Sequence, residues 1–74
     1  MKARKERVED IRTEIVSEYG YWPCVSHLAR YLGIDDQKVK EWMDGVPAIR
    51  NGRRIQYRAK AVAERLADME ARGI

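Results

Sequence analysis

Two short apolar stripes separated only by Gly33, Ile34 and Asp35 constrain this chain more than any other feature. Val25, Leu28, Ala29 and Leu32 recur at helical spacing, and Val39, Trp42 and Met43 do so again. Each stripe needs one buried face, and three residues cannot carry the chain far, so the two helices must meet near their junction. Gly33 suits the left-handed position that ends the first helix. Asp35 is a good N-cap for the second, predicted over 36–43, with Ile34 set to pack on Val39 as a hydrophobic staple. Gly45 ends that helix. Ala29, Gly33, Val39 and Trp42 thus spell A-x3-G-x5-V-x2-W. That is a small residue where helices cross, a glycine in the turn, and apolar anchors beyond it. The spacing fits a helix-turn-helix; an ordinary corner between two helices satisfies it as well.

The residues after Gly45 narrow the choice. Val46 to Arg50 and Arg53 to Tyr57 flank Asn51-Gly52, a strong hairpin signal because both residues tolerate the positive φ of a type I′ turn. In that register Arg50 opposes Arg53, Ile49 opposes Arg54, and Ala48 opposes Ile55. Val46, Ala48, Ile55 and Tyr57 share a face that can pack on helices, while Arg54 and Gln56 point away. Like charges directly opposed at a hairpin tip are unfavourable, which marks the tip as a place where an external anion is expected.

Val8, Ile11, Ile15 and Tyr19 predict an amphipathic helix over about 5–18, with Glu14 and Glu18 unfavourably placed at its C-terminal end, which is expected to fray. Gly20 stops it and Tyr21-Trp22-Pro23 forms an aromatic connector. Ala59, Val62, Ala63, Leu66 and Met69 predict a closing helix before Gly73. The expected fold is mainly α with a small β-hairpin, a winged helix-turn-helix of order α-α-α-β-β-α. One domain spans 1–74: N-terminal helix and connector 1–22, helix-turn-helix 23–44, wing 46–57 and C-terminal helix 58–72.

Charge is unevenly distributed along the 74 residues. Between Gly45 and Ala63 lie Arg50, Arg53, Arg54, Arg58 and Lys60 with no Asp or Glu, whereas the rest of the chain carries ten basic against twelve acidic groups. A basic stripe on a slightly acidic body points to a localised polyanion site. Lys2, Arg4, Lys5 and Arg7 form a second cluster that reads as a solvated tail. Glu64, Asp68 and Glu70 leave an acidic outer face on the last helix, which could serve association. Cys24 and His27 make C-x-x-H with no further Cys or His, so neither a four-ligand metal site nor a disulfide can be built, and no cofactor is expected. His27 reads as an exposed helix residue, and Cys24 as a cap or partly buried contact. A Cys-His pair without an evident oxyanion site argues against an enzyme. No apolar run approaches the roughly 18 residues of a membrane span, and MKARKERVED has no apolar stretch after its charges. A cytoplasmic, nucleoid-associated protein is expected. Trp22, Trp42, Tyr19, Tyr21, Tyr31 and Tyr57 could stack bases as single-strand binders do, but with no Phe in the chain Trp42, Tyr19 and Tyr57 are assigned to the core, and Tyr21 and Tyr31 stay open.

The segment VSHLARYLGIDDQKVKEWMDGVPAIRNGRRIQYRAKAVAERL resembles the excisionase and excisionase-like DNA-binding family. The likeness lies in the A-x-Y-L-G-I helix, the helix ending in glycine, the short Arg- and Gly-rich hairpin and the final helix, over about 23–67. The N-terminal helix is longer than such domains need, and Cys24 stands where Thr or Ser is the usual cap. The resemblance implies that the second helix of the pair enters the major groove of duplex DNA, with Gln37, Lys38, Lys40 and Glu41 on its open face. Gln can pair with adenine and Glu can accept from cytosine. Arg50, Arg53 and Arg54 on the wing, with Arg58 and Lys60 beyond it, would neutralise phosphates, and Asn51 and Gln56 would complete the wing surface. It also implies a bacterial or phage setting. There the protein would bend DNA to direct a recombinase or integrase, self-associate on DNA, or act as a small transcriptional regulator. Asp35, Asp36, Glu41 and Asp44 outweigh Lys38 and Lys40, so the wing is expected to dominate affinity. Two other classes fit the same residues: an RNA-binding helix pair with a hairpin, to which GVPAIRNGRRI is loosely similar, and an adaptor whose wing meets an acidic protein.

Overall fold

The computed structural model describes residues 3–73. Four helices and one hairpin occur in the order α1 (Arg4–Tyr19), α2 (Val25–Leu32), α3 (Asp36–Trp42), β1 (Ala48–Asn51), β2 (Arg54–Tyr57) and α4 (Ala59–Ala71). This is the predicted α-α-α-β-β-α arrangement, a helix-turn-helix pair followed by a wing-like hairpin.

The first and last helices form the base. Val8, Ile11 and Ile15 line one side of α1, and Ala59, Val62, Ala63, Leu66 and Ala67 line one side of α4. Alanine at every fourth position of α4 lets the α1 backbone approach closely, while Val62 and Leu66 fill the space between. Ile11, Ile15, Leu28, Val39 and Val62 are essentially without solvent exposure, and each contributes about 1.5–3 kcal/mol by burial.

The N-terminal cations are not a solvated tail. Arg4 Nε donates to Asp68 Oδ1 at 2.8 Å, and Arg7 Nη2 to Glu70 Oε1 at 2.8 Å. The helix begins early enough to aim Arg4 and Arg7 across at α4, so Asp68 and Glu70 of the acidic outer face expected there are met from within the chain. Lys2 lies outside the described residues. At the end of α1, Gly20 N–H closes on Val16 O at 3.0 Å, and Glu14 accepts from the Tyr31 hydroxyl at 2.5 Å. Burial, followed by this bond, pushes the Tyr31 phenol well above its ordinary value.

The helix pair sits on that base. Gly33 holds φ +70°, with its N–H returned to Ala29 O at 2.8 Å, and Asp35 Oδ1 accepts from Lys38 N–H at 2.7 Å to start α3. At the other end of α3, Arg65 from α4 donates Nη1 to Trp42 O at 2.9 Å. A cation there satisfies a carbonyl left open by the helix and favours the negative end of its dipole. His27 is half-buried, not exposed. Its Nδ1 accepts from Cys24 N–H at 3.3 Å in a capping box, and its ring stacks on Tyr19 with centroids 4.9 Å apart.

The hairpin corrects the predicted register. Asn51 pairs with Arg54, Arg50 with Ile55, Ile49 with Gln56, and Ala48 with Tyr57. The turn residues are therefore Gly52 and Arg53, and Arg50 does not oppose Arg53. Gly52 has φ +64° and, among the described residues, no non-glycine residue has positive φ, so Arg53 does not, which matches type II′ and excludes type I′. Moving the register by two residues keeps every side chain on its predicted face, so Tyr57 still packs inward.

Candidate nucleic-acid interface

β2 is held on both edges. On one side it pairs with β1. On the other, Tyr57 N–H donates to Pro23 O and Ala59 N–H to Tyr21 O, both at 2.9 Å, and Cys24 bridges Gln56 in antiparallel sense. The connector before α2 thus acts as a third strand, using the carbonyl that proline retains. This locks the hairpin to the start of the helix pair and fixes where its charged residues stand relative to α3.

Gln37, Lys38, Lys40 and Glu41 are all exposed on α3, and Lys38 Nζ lies 3.7 Å from Glu41 Oε2. Lys40 and Asp36 of α3, Arg53 and Arg54 of the hairpin and Ser26 of α2 together line a groove of about 190 Å³. The fold therefore brings one predicted cation from the helix and two from the wing around a single concavity. Cys24 also lines it. Burial alone pushes the Cys24 thiol up, but hydrogen bonds from Ser26 and His27 outweigh that and hold it below its ordinary value.

Other predicted residues are dispersed. Arg50 is exposed on the Ile55 side of β1, and Asn51 is a strand residue beside Arg54. Gln56 is only partly exposed, and its Nε2 donates to Trp22 O at 2.9 Å, so the fold already uses that amide. Arg58 is the N-cap residue of α4, with its guanidinium 6.0 Å over the centroid of Trp22. Lys60, in the next turn, lines a second concavity with Trp22, Ile49 and Arg58. Trp22, in the connector and among the aromatics able to stack a base, is 40% exposed and borders this concavity. The available signal is an aromatic before proline, directly ahead of a helix start.

The electrostatic contrast between the two parts of the molecule is marked. Arg4, Arg7 and Arg12 on α1 are held by Asp68, Glu70 and Glu9. Among the described residues, Arg50, Arg53, Arg54, Arg58 and Lys60 make no ion pair within 4.0 Å. Cations without a counter-charge on the hairpin and at the start of α4 leave a local positive field that a polyanion can satisfy. No three His, Cys, Asp or Glu side chains gather as a metal site, and no helix is long and apolar enough to cross a membrane, among the described residues. No family model, curated protein or solved structure matches the chain.

Proposed function

We propose that this chain binds double-stranded DNA as a winged helix-turn-helix module rather than as a catalyst, with α3 in the major groove and the hairpin on the phosphate backbone. The observation that carries the reading is the groove that Lys40, Arg53 and Arg54 line together, while the three arginines of α1 are paired internally. Phosphates would fill that groove and supply affinity and register, and Gln37 and Glu41 would read base edges. Lys38 serves the edge of that surface, its charge shared with Glu41. Sequence choice rests on few residues because Asp35 is committed as a cap. Taken with the excisionase resemblance, the role is that of a small architectural or regulatory factor acting beside a recombinase. Competition among duplex DNA, single-stranded DNA and structured RNA at one fixed salt concentration tests it. Duplex should win, preference for RNA would favour the RNA-binding alternative, and no binding at low salt would leave the adaptor reading.

A further inference from the structure

Pairing along the outer edge of β2 sets the side of the sheet on which Trp22 stands. Cys24 opposes Gln56, and the bonds from Tyr57 to Pro23 and from Ala59 to Tyr21 continue that register, so Trp22 stands opposite Arg58. Directly opposed residues share a face, and side chains two apart along a strand return to it. Trp22 and Arg58 therefore share the outer face of the small sheet with Ile49, Gln56 and Arg54. Pro23 and Tyr57 occupy the inner face and are buried. Arg54, on the same face, lines the groove that Lys40 also lines, whereas Cys24, which the same pairing puts on this face, is buried.

That face has an unusual make-up for an exposed surface. Trp22 is 40% and Ile49 47% exposed, and with Arg58 and Lys60 they line a concavity of about 370 Å³ between the hairpin and the start of α4. Glu64 is the one acidic residue lining it. Flat apolar surface flanked by free cations matches a ligand that is itself flat and carries regular negative charge. An unpaired nucleotide has both properties; a duplex hides its base faces.

We infer that the outer face of the hairpin is a stacking platform for single-stranded DNA, with a base on Trp22 and the flanking phosphates on Arg58 and Arg54. This rests on the DNA-binding reading of the wing, sharing Arg54 and Arg58 with it and adding Trp22 and Ile49. The guanidinium stands 6.0 Å over the Trp22 ring. Arg58 is exposed, so a base stacking on the indole would displace its flexible side chain outward, toward the flanking phosphate. Ile49 extends the apolar floor beside the ring. Gln56 holds the Trp22 main chain by its carbonyl, so this anchor survives substitution of the indole.

The test uses the full chain, short oligothymidylate, a fully paired duplex and polyglutamate, read by tryptophan fluorescence and by affinity. Oligothymidylate should quench the fluorescence, and Trp22→Ala should weaken its binding roughly 5- to 150-fold, the range seen when a stacking aromatic is removed. Trp22→Phe should restore part of that loss. Duplex affinity should stay within about twofold in both variants, as for a surface substitution outside the contact. Polyglutamate, charged but without bases, should leave the fluorescence unchanged. Oligothymidylate affinity that is indifferent to Trp22→Ala, or polyglutamate quenching equal to that of oligothymidylate, overturns the platform. Duplex binding that still depends on Arg53 and Arg54 in that event leaves the wing assignment standing. Loss of duplex binding with Trp22-dependent quenching intact has the reverse meaning.

Discussion

Replacing Asn51 by valine separates the two hairpin registers and with them the position of every wing arginine. In the observed pairing Asn51 is the last residue of β1, opposite Arg54, exposed and at negative φ. Valine there gives up no hydrogen bond found in the structure and suits an extended backbone, so the change should be neutral or stabilise by up to ~1 kcal/mol. Had Asn51-Gly52 formed a type I′ turn, residue 51 would sit in the left-handed region. A side chain branched at Cβ would then cost about 1–2 kcal/mol or more. The two registers thus differ in sign. Gly52→Ala is the internal control: φ is +64° and nothing lies within 4 Å of an added Cβ, so the loss is conformational, about 1–2 kcal/mol. Urea unfolding at matched slope resolves these values, because a small domain with a slope of ~1 kcal/mol per molar shifts its midpoint by ~1 M for each kcal/mol. A loss of about 1 kcal/mol or more for Asn51→Val would refute the register.

Two further changes probe how the platform is held. Arg65→Leu removes the donor to Trp42 O and leaves the C-terminal carbonyl of α3 unmet in a partly buried setting. It should destabilise by about 1.5–3 kcal/mol, read as a fall of several degrees in Tm, and should weaken duplex binding by loosening α3. Asp68 is held below its ordinary 3.8 by its hydrogen bond from Arg4. A depressed carboxylate contributes stability that is present above about 3.8 and lost as pH falls through the lower folded value. The wild type should therefore lose stability on the acid side, and Asp68→Asn should flatten that slope. High salt should do the same, because both side chains are about half exposed.

The elements that local chemistry specifies were legible. Gly33 and Asp35 marked the helix junction because a left-handed position and an N-cap are each met by one residue type in one place. The alternation of Ile55 and Tyr57 gave the inner face of the hairpin. The register was not legible, for a definite reason: Gly52 satisfies the second position of a type I′ turn and the first of a type II′ turn equally well. The two alternatives differ by two residues, so the inward pattern agrees with both. What separates them is pairing of β2 with Tyr21-Trp22-Pro23, and a proline within a short aromatic segment reads as a break rather than a strand edge. The same pairing hid the placement of Trp22 beside Arg58. The ion pairs Arg4–Asp68 and Arg7–Glu70 join opposite ends of the chain, so no local pattern announces them. Consequently Arg4 and Arg7 read from sequence as part of a solvated tail, although both are paired with α4.

Both the internal pairing of α1 and the exposed wing lead to one quantity. Arg53 and Arg54 are exposed and make no ion pair within 4.0 Å among the described residues, so replacing both with alanine should leave stability within about 0.5 kcal/mol per site. Each phosphate neutralised contributes about 0.9 to the slope of log K against log salt on duplex DNA. The double variant should therefore bind duplex more weakly, with a slope shallower than that of the wild type by ~1.8. A slope unchanged in the double variant would contradict the assignment of this hairpin as the phosphate-binding wing.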